Sequence, residues 1–256
     1  MDVRFLGVNG SIQSAGSGNV SLVVSHVDSH VLVDTSGAVV QALWLAGVDP
    51  LTIDTVVLTH AHIDHIYALP SLLHNLWLSK RERPLTILAN QETLEIARNL
   101  CSVFAIEQKR LMFPINWRIA EGGWHLHRLG ALSFGLFPVN HGVPTIGCMF
   151  STDGGKLSKI VYLADCIPME NYPVEVMGAD LLIHEAGGTD AQEASLTSRG
   201  HSTARQAALV AERLSAGRML LCHLCPQESR WDEMLQEARR YFPRVEIPKL
   251  FVPYGV

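Results

Sequence analysis

The chain has 256 residues, of which 48% are hydrophobic and 18% are charged, and its mean hydropathy is +0.17. This composition is typical of a folded globular protein and excludes an intrinsically disordered chain. The formal net charge of −5, from 20 basic and 25 acidic residues, gives no basic surface for non-specific binding of nucleic acid. The 12 histidines are the unusual feature of the composition.

Neither a signal peptide nor a membrane span is predicted. The N-terminus reads MDVRFLGVNGSIQS, without a basic region followed by an apolar one, and no apolar run has transmembrane length. The five cysteines are expected to be reduced thiols, and the CxxC formed by Cys222 and Cys225 is interpreted as packing residues because no second CxxC occurs. We therefore expect a cytoplasmic protein with no membrane partner.

Short apolar strands alternate with helices along the chain. In the first half, strands are predicted at 3–8, 20–26, 31–34, 54–58 and 85–88, and helices at 36–47, 64–78 and 91–104, the first of them capped by Ser36. In the second half, strands are predicted at 132–139, 145–152, 159–163, 180–183, 218–221 and 249–252, and helices at 203–214 and 228–241. Mixed elements in this order favour one domain, residues 1–256, of packed sheets covered by helices. The glycine-rich polar segment 184–200 is the main irregular stretch, and such loops are often functional.

Four side chains that can bind metal lie within six residues of one segment. The sequence LTHAHIDHIYALP, from Leu58 to Pro70, contains His60, His62, Asp64 and His65 after an apolar strand. Imidazoles combined with a carboxylate suit zinc. The alternative is a polar loop with scattered histidines, but the HxHxDH spacing favours a metal site. This loop alone cannot fill two coordination shells, so further ligands must come from elsewhere.

HAHIDH resembles the HxHxDH signature of the metallo-β-lactamase superfamily. The resemblance implies an α/β fold, an αββα sandwich of two mixed β-sheets flanked by helices. That family's later ligands are a histidine, a bridging aspartate and a last histidine, each just after a strand. This sequence offers His141 after LSFGLFPVN, Asp165 after KIVYLA and His223 after RMLLC. The resemblance thus implies one metal on His60, His62 and His141, a second on Asp64, His65 and His223, and Asp165 bridging them.

The implied cofactors are two Zn²⁺ ions, although histidine and carboxylate ligands also accept Mn²⁺. Two cations about 3.5 to 4 Å apart lower the pKa of a bridging water and clamp the oxygens of a substrate. The expected nucleophile is therefore a metal-bound hydroxide. Asp64 is predicted to be a catalytic residue as well as a ligand.

Two further motifs indicate which branch of the superfamily the chain resembles. DLLIHEA at 180–186 and GHSTARQAA at 200–208 resemble motifs of ribonuclease Z, the tRNA 3′-processing endoribonuclease. The resemblance implies that His201 assists the leaving group and that Glu185 supports it, which agrees with the need of a departing alkoxide for a proton. The alternative is that His201 only helps to start a helix and Glu185 is a solvated loop residue. The joint occurrence of both motifs favours the functional pair. His184 is interpreted as a packing or supporting residue.

The segment between His141 and Asp165 departs from that branch. Ribonuclease Z carries a long basic arm for tRNA there, whereas this chain has only GVPTIGCMFSTDGGKLSKIVYLA, predicted as two strands joined by a turn at 153–155. With a net charge of −5, the short segment favours a small nucleotide or RNA as the phosphodiester substrate rather than tRNA. The resemblance also implies a homodimer.

Two other functions stay open at this stage. The first is a hydrolase of a thioester, lactone or β-lactam on the same fold, which would not need the pair His201 and Glu185. The second is a binding scaffold, which would have no reason to keep all seven candidate ligands. The remaining histidines are interpreted as structural or surface residues: His26, His30, His74, His125 and His127.

Overall fold

Fourteen strands and seven α-helices lie in the residues that the computed structural model describes, 1–106, 111–120, 124–152 and 158–256. The strands are β1 (Asp2–Gly7), β2 (Ser21–His26), β3 (Ser29–Val33), β4 (Thr55–Val57), β5 (Leu85–Ala89), β6 (Ile115–Ile119), β7 (His125–Leu129), β8 (Leu132–Val139), β9 (Thr145–Thr152), β10 (Lys159–Tyr162), β11 (Leu181–Glu185), β12 (Arg218–Cys222), β13 (Val245–Glu246) and β14 (Tyr254–Gly255). The helices are α1 (Val39–Leu45), α2 (Ile63–Ile66), α3 (Leu69–Leu78), α4 (Gln91–Val103), α5 (Glu193–Thr197), α6 (Ala204–Arg213) and α7 (Trp231–Arg239).

The strands form two sheets of matching topology. The first has the order β14-β1-β2-β3-β4-β5-β6 and the second β13-β12-β11-β10-β9-β8-β7. Each sheet has three antiparallel pairings on one side and three parallel pairings on the other, with the change at β3 in the first sheet and at β10 in the second. Parallel strands bring their carboxyl ends to one edge, which is where α/β sheets usually bind ligands.

Alternating side chains of the central strands supply two cores. Val31 and Val33 of β3 belong to the apolar cluster shared by both sheets, whereas Leu32 between them packs with helix residues such as Leu43 and Leu69. This two-residue period is the normal geometry of a strand. The second sheet is covered on its outer side by α6 and α7, so the layers run helix, sheet, sheet, helix. The predicted αββα sandwich is confirmed.

The helix predicted at 64–78 is divided into α2 and α3. Pro70 lies at the first turn of α3, and a continuous helix would place its ring against the carbonyl of Ile66. The amide of Ala68 instead donates to the carbonyl of Thr35. The break keeps α2 to a single turn, which presents Asp64 and His65 on a short, anchored segment.

Three other local predictions were wrong. Ser36 does not cap α1, since its hydroxyl donates to the carbonyls of Val20 and Asp64. The strand predicted at 249–252 is absent from the described structure, where Phe251 has a φ of +64° and prolines flank the segment. The irregular stretch 184–200 contains α5. The turn predicted at 153–155 lies outside the described residues. Among the described residues, no helix combines the length and apolar character needed to cross a bilayer.

Candidate metal centre

The structure brings all seven predicted ligands to one place. Each follows the carboxyl end of a strand or lies on α2, the helical turn after β4. Their donor atoms fall into one group of His60, His62, His141 and Asp165 and a second group of Asp64, His65 and His223, with all donor atoms of a group within 4.8 Å of one another. This grouping matches the division into two sites that the resemblance implied.

In the first group, three ring nitrogens face one another. The Nδ1 atom of His62 lies 3.0 Å from Nε2 of His60 and 3.2 Å from Nε2 of His141. Oδ2 of Asp165 lies 3.8 Å from Nε2 of His60. Neutral imidazoles have one lone pair on the unprotonated nitrogen, and three such atoms converging on one point are suited to a cation.

In the second group, carboxylate oxygens face imidazole nitrogens. Oδ2 of Asp165 lies 3.4 Å from Nε2 of His65 and 3.0 Å from Nε2 of His223. Oδ2 of Asp64 lies 3.7 and 3.6 Å from the same two nitrogens. Asp165 therefore contacts both groups, as a bridging ligand must.

Although some of these atoms lie close to an oppositely charged group, several of them make no contact with hydrogen-bond geometry among the described residues. They are Oδ2 of Asp64, Nε2 of His65, Oδ1 of Asp165 and Nε2 of His223. Each buried polar atom left without a partner costs about 1–3 kcal/mol, so four at one point would be expensive in a site with no further function. The donor set, nitrogen and carboxylate oxygen only, fits divalent transition metals.

The electrostatics of the centre favour positive charge. Burial alone would lower the pKa of His223, but Asp165 and Asp64 outweigh it and raise that pKa to about 10. Burial likewise lowers the pKa of His65, yet the carboxylates of Asp165 and Asp34 hold it well above its usual value. His60 behaves in the opposite way, since burial lowers its pKa well below the ordinary value. The carboxylates thus draw positive charge to the second group, whereas burial keeps His60 neutral, the state in which imidazole binds metal.

Asp34, which follows β3, supports both groups and was not identified from the sequence. It is buried, and its carboxylate accepts hydrogen bonds from Nδ1 of His65 at 2.8 Å and from the backbone amide and hydroxyl of Thr59. The Thr59 hydroxyl lies 3.0 Å from Nδ1 of His60, which can donate to it. Both rings are thereby turned so that Nε2 points into the centre. A carboxylate behind a histidine ligand is the usual way in which proteins orient it.

Two glycines allow close approach to ligand rings. A side chain on Gly10 would place its Cβ 2.8 Å from Cε1 and 2.9 Å from Nδ1 of His223. A Cβ on Gly200 would lie 2.8 Å from Nδ1 of His141, which donates to the carbonyl of that same glycine at 2.9 Å. Gly200 also has a φ of +81°.

His201 and Glu185 lie beside the centre as a hydrogen-bonded pair. Nδ1 of His201 donates to Oε1 of Glu185 at 2.9 Å, and the amide of Cys166 donates to the same oxygen at 2.8 Å. The His201 ring stacks on His223 and packs edge-on against His141, with ring centres 5.0 Å away in both cases. Glu185 is fully buried, so the alternative of a solvated loop residue is wrong.

His201 does not start a helix. Its amide donates to the carbonyl of Leu196, and the amide of Gly200 donates to that of Thr197, so both residues belong to the closing turn of α5. The next helix, α6, begins after its own cap, Thr203. Donor atoms of His201, Asp165 and His223 also lie within 4.8 Å, but Nδ1 of His201 is taken by Glu185. Nε2 is therefore the ring nitrogen of His201 that is left for a further partner.

The other histidines lie apart from this centre in the described structure. His184 is buried with Nδ1 beside the carbonyl of Glu185, as expected for a packing residue. His74 lies on α3, and His26 and His30 flank the turn between β2 and β3. His127 stacks on Phe134 within the second sheet. All five cysteines are free.

Comparisons with known proteins identify the superfamily of the chain. Ribonuclease Z of Methanothermobacter thermautotrophicus is 25% identical, with 96% of this chain and 94% of that protein aligned. The solved metallo-β-lactamase fold protein of Bacillus subtilis superposes with a TM-score of 0.83 at 24% identity, over 99% of this chain and 98% of that one. The short form of human tRNase Z gives 0.81 at 24% identity, over 100% and 99% of the two chains. Residues 29–224 match the family model described as the β-lactamase superfamily domain, and the chain therefore belongs to that superfamily.

Proposed function

We propose that this protein is a phosphodiesterase with two divalent metal ions, most simply Zn²⁺, that hydrolyses a small nucleotide or a short RNA. The coarser expectation, a metal-dependent hydrolase of the ribonuclease Z type, is confirmed by relatedness to proteins of that name. The observation that carries the proposal is the pair His201 and Glu185 beside seven convergent donor groups.

In the proposed arrangement, His60, His62 and His141 hold one ion, Asp64, His65 and His223 hold the other, and Asp165 contacts both. When bound, divalent ions supply Lewis acidity that stabilises phosphate oxygens and lowers the pKa of water. Supporting this assignment, Asp34 orients His60 and His65, and Gly200 orients His141 through its carbonyl. Asp64 has its unpartnered oxygen directed into the same space, consistent with a role beside the reacting atoms.

The role proposed for His201 is protonation of the leaving oxygen. Its Nδ1 is engaged by Glu185, so Nε2 is the nitrogen available to a substrate. The buried carboxylate of Glu185 keeps the ring in one tautomer and orientation, because it also accepts a hydrogen bond from the rigid backbone at Cys166. Hydrolysis of the carbonyl group of a lactone or β-lactam does not require this pair to protonate a leaving group. The presence of the pair therefore favours a phosphodiester substrate.

The small substrate is proposed from the short connection between His141 and Asp165. Within the described residues that connection consists of β9 and β10. The alignment with the Methanothermobacter enzyme has 291 positions, at least 35 more than the 256 residues of this chain. That relative therefore has residues without counterparts here, which agrees with a missing substrate-gripping arm.

The test is turnover of bis(p-nitrophenyl) phosphate by metal-loaded protein, alongside a lactone and a thioester. We expect about two metal ions per chain, as a dinuclear site requires, and hydrolysis of the phosphodiester only. Asp165→Ala should lose most metal and activity because it contacts both groups. His74→Ala, which removes a histidine outside the centre, should retain both.

The role of His201 is tested by comparing substrates with poor and good leaving groups. His201→Ala should keep its metal and lose roughly 10²- to 10⁴-fold in turnover of a substrate with an alkoxide leaving group. The loss should be much smaller with nitrophenolate, which needs little protonation. Glu185→Gln should show the same pattern more mildly, since it keeps an acceptor and loses the charge. Full activity of metal-free protein, or hydrolysis of the lactone or thioester alone, would overturn the proposed function.

A further inference from the structure

A cavity of about 660 Å³ opens beside the metal centre. One wall is the connection from β8 to β9, residues 139–144, and the other is the end of α5, residues 197–200, with Ile167 between them. We call it the Arg199 cavity. Its volume is in the range of small-molecule sites.

The Arg199 cavity lies on one particular side of the centre. His141 lines it, and so does Gly200, the residue immediately before His201. The rings of His141 and His201 are 5.0 Å apart, and Nδ1 of His141 is bonded to the Gly200 carbonyl. The cavity is therefore adjacent to the edge of the centre at which His201 stands, the edge assigned above to the leaving oxygen.

The lining combines an apolar wall with one fixed charge. Val143, Pro144 and Ile167 provide apolar surface, and Arg199 is the only Lys, Arg, Asp or Glu among the described residues that line the cavity. The Arg199 side chain is exposed, and its Nε donates to the carbonyl of Ser195 at 3.0 Å. That bond uses Nε and leaves the two terminal amino groups of the guanidinium for a ligand. An apolar wall suits a nucleoside, and a guanidinium matches the oxygens of a phosphate.

We propose that the Arg199 cavity receives the leaving nucleotide and that Arg199 binds a second phosphate carried by that nucleotide. The inference rests on the proposed function, because it takes the leaving group to lie beside His201. In the reaction, the bond from phosphorus to the leaving oxygen breaks, water adds hydroxyl to phosphorus, and the leaving nucleotide departs as an alcohol with the proton from His201. His201 is reprotonated from the water that was consumed. The preferred substrate is thus an oligonucleotide with at least two phosphates, and a dinucleoside monophosphate lacks the second one.

The test compares three dinucleotides: UpU, and its forms with an added terminal phosphate, pUpU and UpUp. Cleavage releases one of the two nucleosides as the leaving group, and only a phosphate added to that nucleoside can reach Arg199. We expect one of the two to exceed UpU in kcat/KM by about tenfold, the effect of a charge-assisted hydrogen bond of roughly 1.4 kcal/mol. For any dinucleotide that is not turned over, the inhibition constant against bis(p-nitrophenyl) phosphate replaces kcat/KM.

The decisive quantity is the kcat/KM for the phosphorylated dinucleotide divided by the kcat/KM for UpU, measured with the same variant. General losses of activity cancel in this ratio. Arg199→Ala should reduce the ratio to near one, and Arg199→Lys should keep part of it. Arg118→Ala, which removes an exposed arginine on the edge strand β6, should keep all of it. Equal values for the three dinucleotides, or a ratio that survives Arg199→Ala, would overturn the inference. Turnover of bis(p-nitrophenyl) phosphate by the unaltered protein reports the proposed function separately.

Discussion

Gly200 is a position at which a single added methyl group should disturb the metal centre directly. It has a φ of +81°, and an added Cβ would lie 2.8 Å from both Nδ1 of His141 and the amide nitrogen of Gly142. The variant Gly200→Ala therefore introduces two costs, one from the backbone conformation and one from the contact.

The two costs can be estimated separately. A left-handed conformation costs an alanine roughly 1–2 kcal/mol. The added carbon lies 0.6 Å inside an ordinary contact of 3.4 Å, and overpacking of this kind costs about 1–3 kcal/mol. The sum, about 2–5 kcal/mol, corresponds to a fall in Tm of about 4–20 °C for a chain of this size. A misplacement of about 1 Å in an active site can lower the rate about 10²-fold, so a shift of His141 by about 0.5 Å should lower turnover about tenfold.

Gly178→Ala is the matched control, because that glycine has a φ of +65° and no atom within 4 Å of its added Cβ. This variant has the backbone cost alone, about 1–2 kcal/mol, so its Tm should fall by about 2–8 °C while metal content and turnover stay unchanged. The measurements are thermal unfolding, metal content, and turnover of bis(p-nitrophenyl) phosphate. Equal turnover in Gly200→Ala and Gly178→Ala would show that contact with His141 does not require glycine.

Three further predictions concern ligand support, thiol exposure and substrate size. Asp34→Asn should weaken metal binding about 10- to 100-fold in chelator competition, because His65 loses its charged partner. Asparagine is chosen because it tolerates the φ of +61° at this position. Unchanged metal affinity would contradict the supporting role of Asp34. In the folded protein, Cys225 should react with a disulfide reagent before the other four thiols, because those four are buried. Burial also disfavours the reactive thiolate, as at Cys101, whose pKa it raises to about 12. Rapid labelling of more than one thiol before unfolding would be inconsistent with the structure. Cleavage of a full-length tRNA precursor should be much slower than that of a short phosphodiester, and efficient, salt-sensitive tRNA cleavage would contradict the proposed small substrate.

The sequence could predict much of the candidate centre because its candidate ligands are local features of the sequence. His60, His62, Asp64 and His65 follow one apolar strand with a distinctive spacing, and the later candidates each follow another strand. Parallel strands end at a common edge, so polar residues at several strand ends are expected to meet there. The β8 and β9 strands, whose predicted bounds coincide with the observed ones, were equally local features.

Asp34 and Gly200 could not be assigned their roles in this way. Asp34 reaches His65 across 31 residues, and the Gly200 carbonyl reaches His141 across 59, so neither contact follows from spacing. An aspartate at the end of VLVD was visible as a strand terminus, but its partner depends on how the sheets pack. The helix α5 was missed since five residues give too little periodicity to distinguish a helix from a polar loop.

The backbone at three strand ends explains why this centre depends on the whole sandwich. Asp34, Ala164 and His223 have left-handed φ values of +61°, +54° and +50°, which turn the chain sharply where a strand stops. Such conformations cost non-glycine residues of order 1–3 kcal/mol each and persist only where the surroundings fix them. All three follow buried strands that are paired on both sides, β3, β10 and β12, so the ladders supply that constraint. Because the strain lies at the positions that orient the donor groups, stability of the sheets and geometry of the centre are coupled. Variants that loosen β10 or β12 should therefore weaken metal binding even when no donor group is changed.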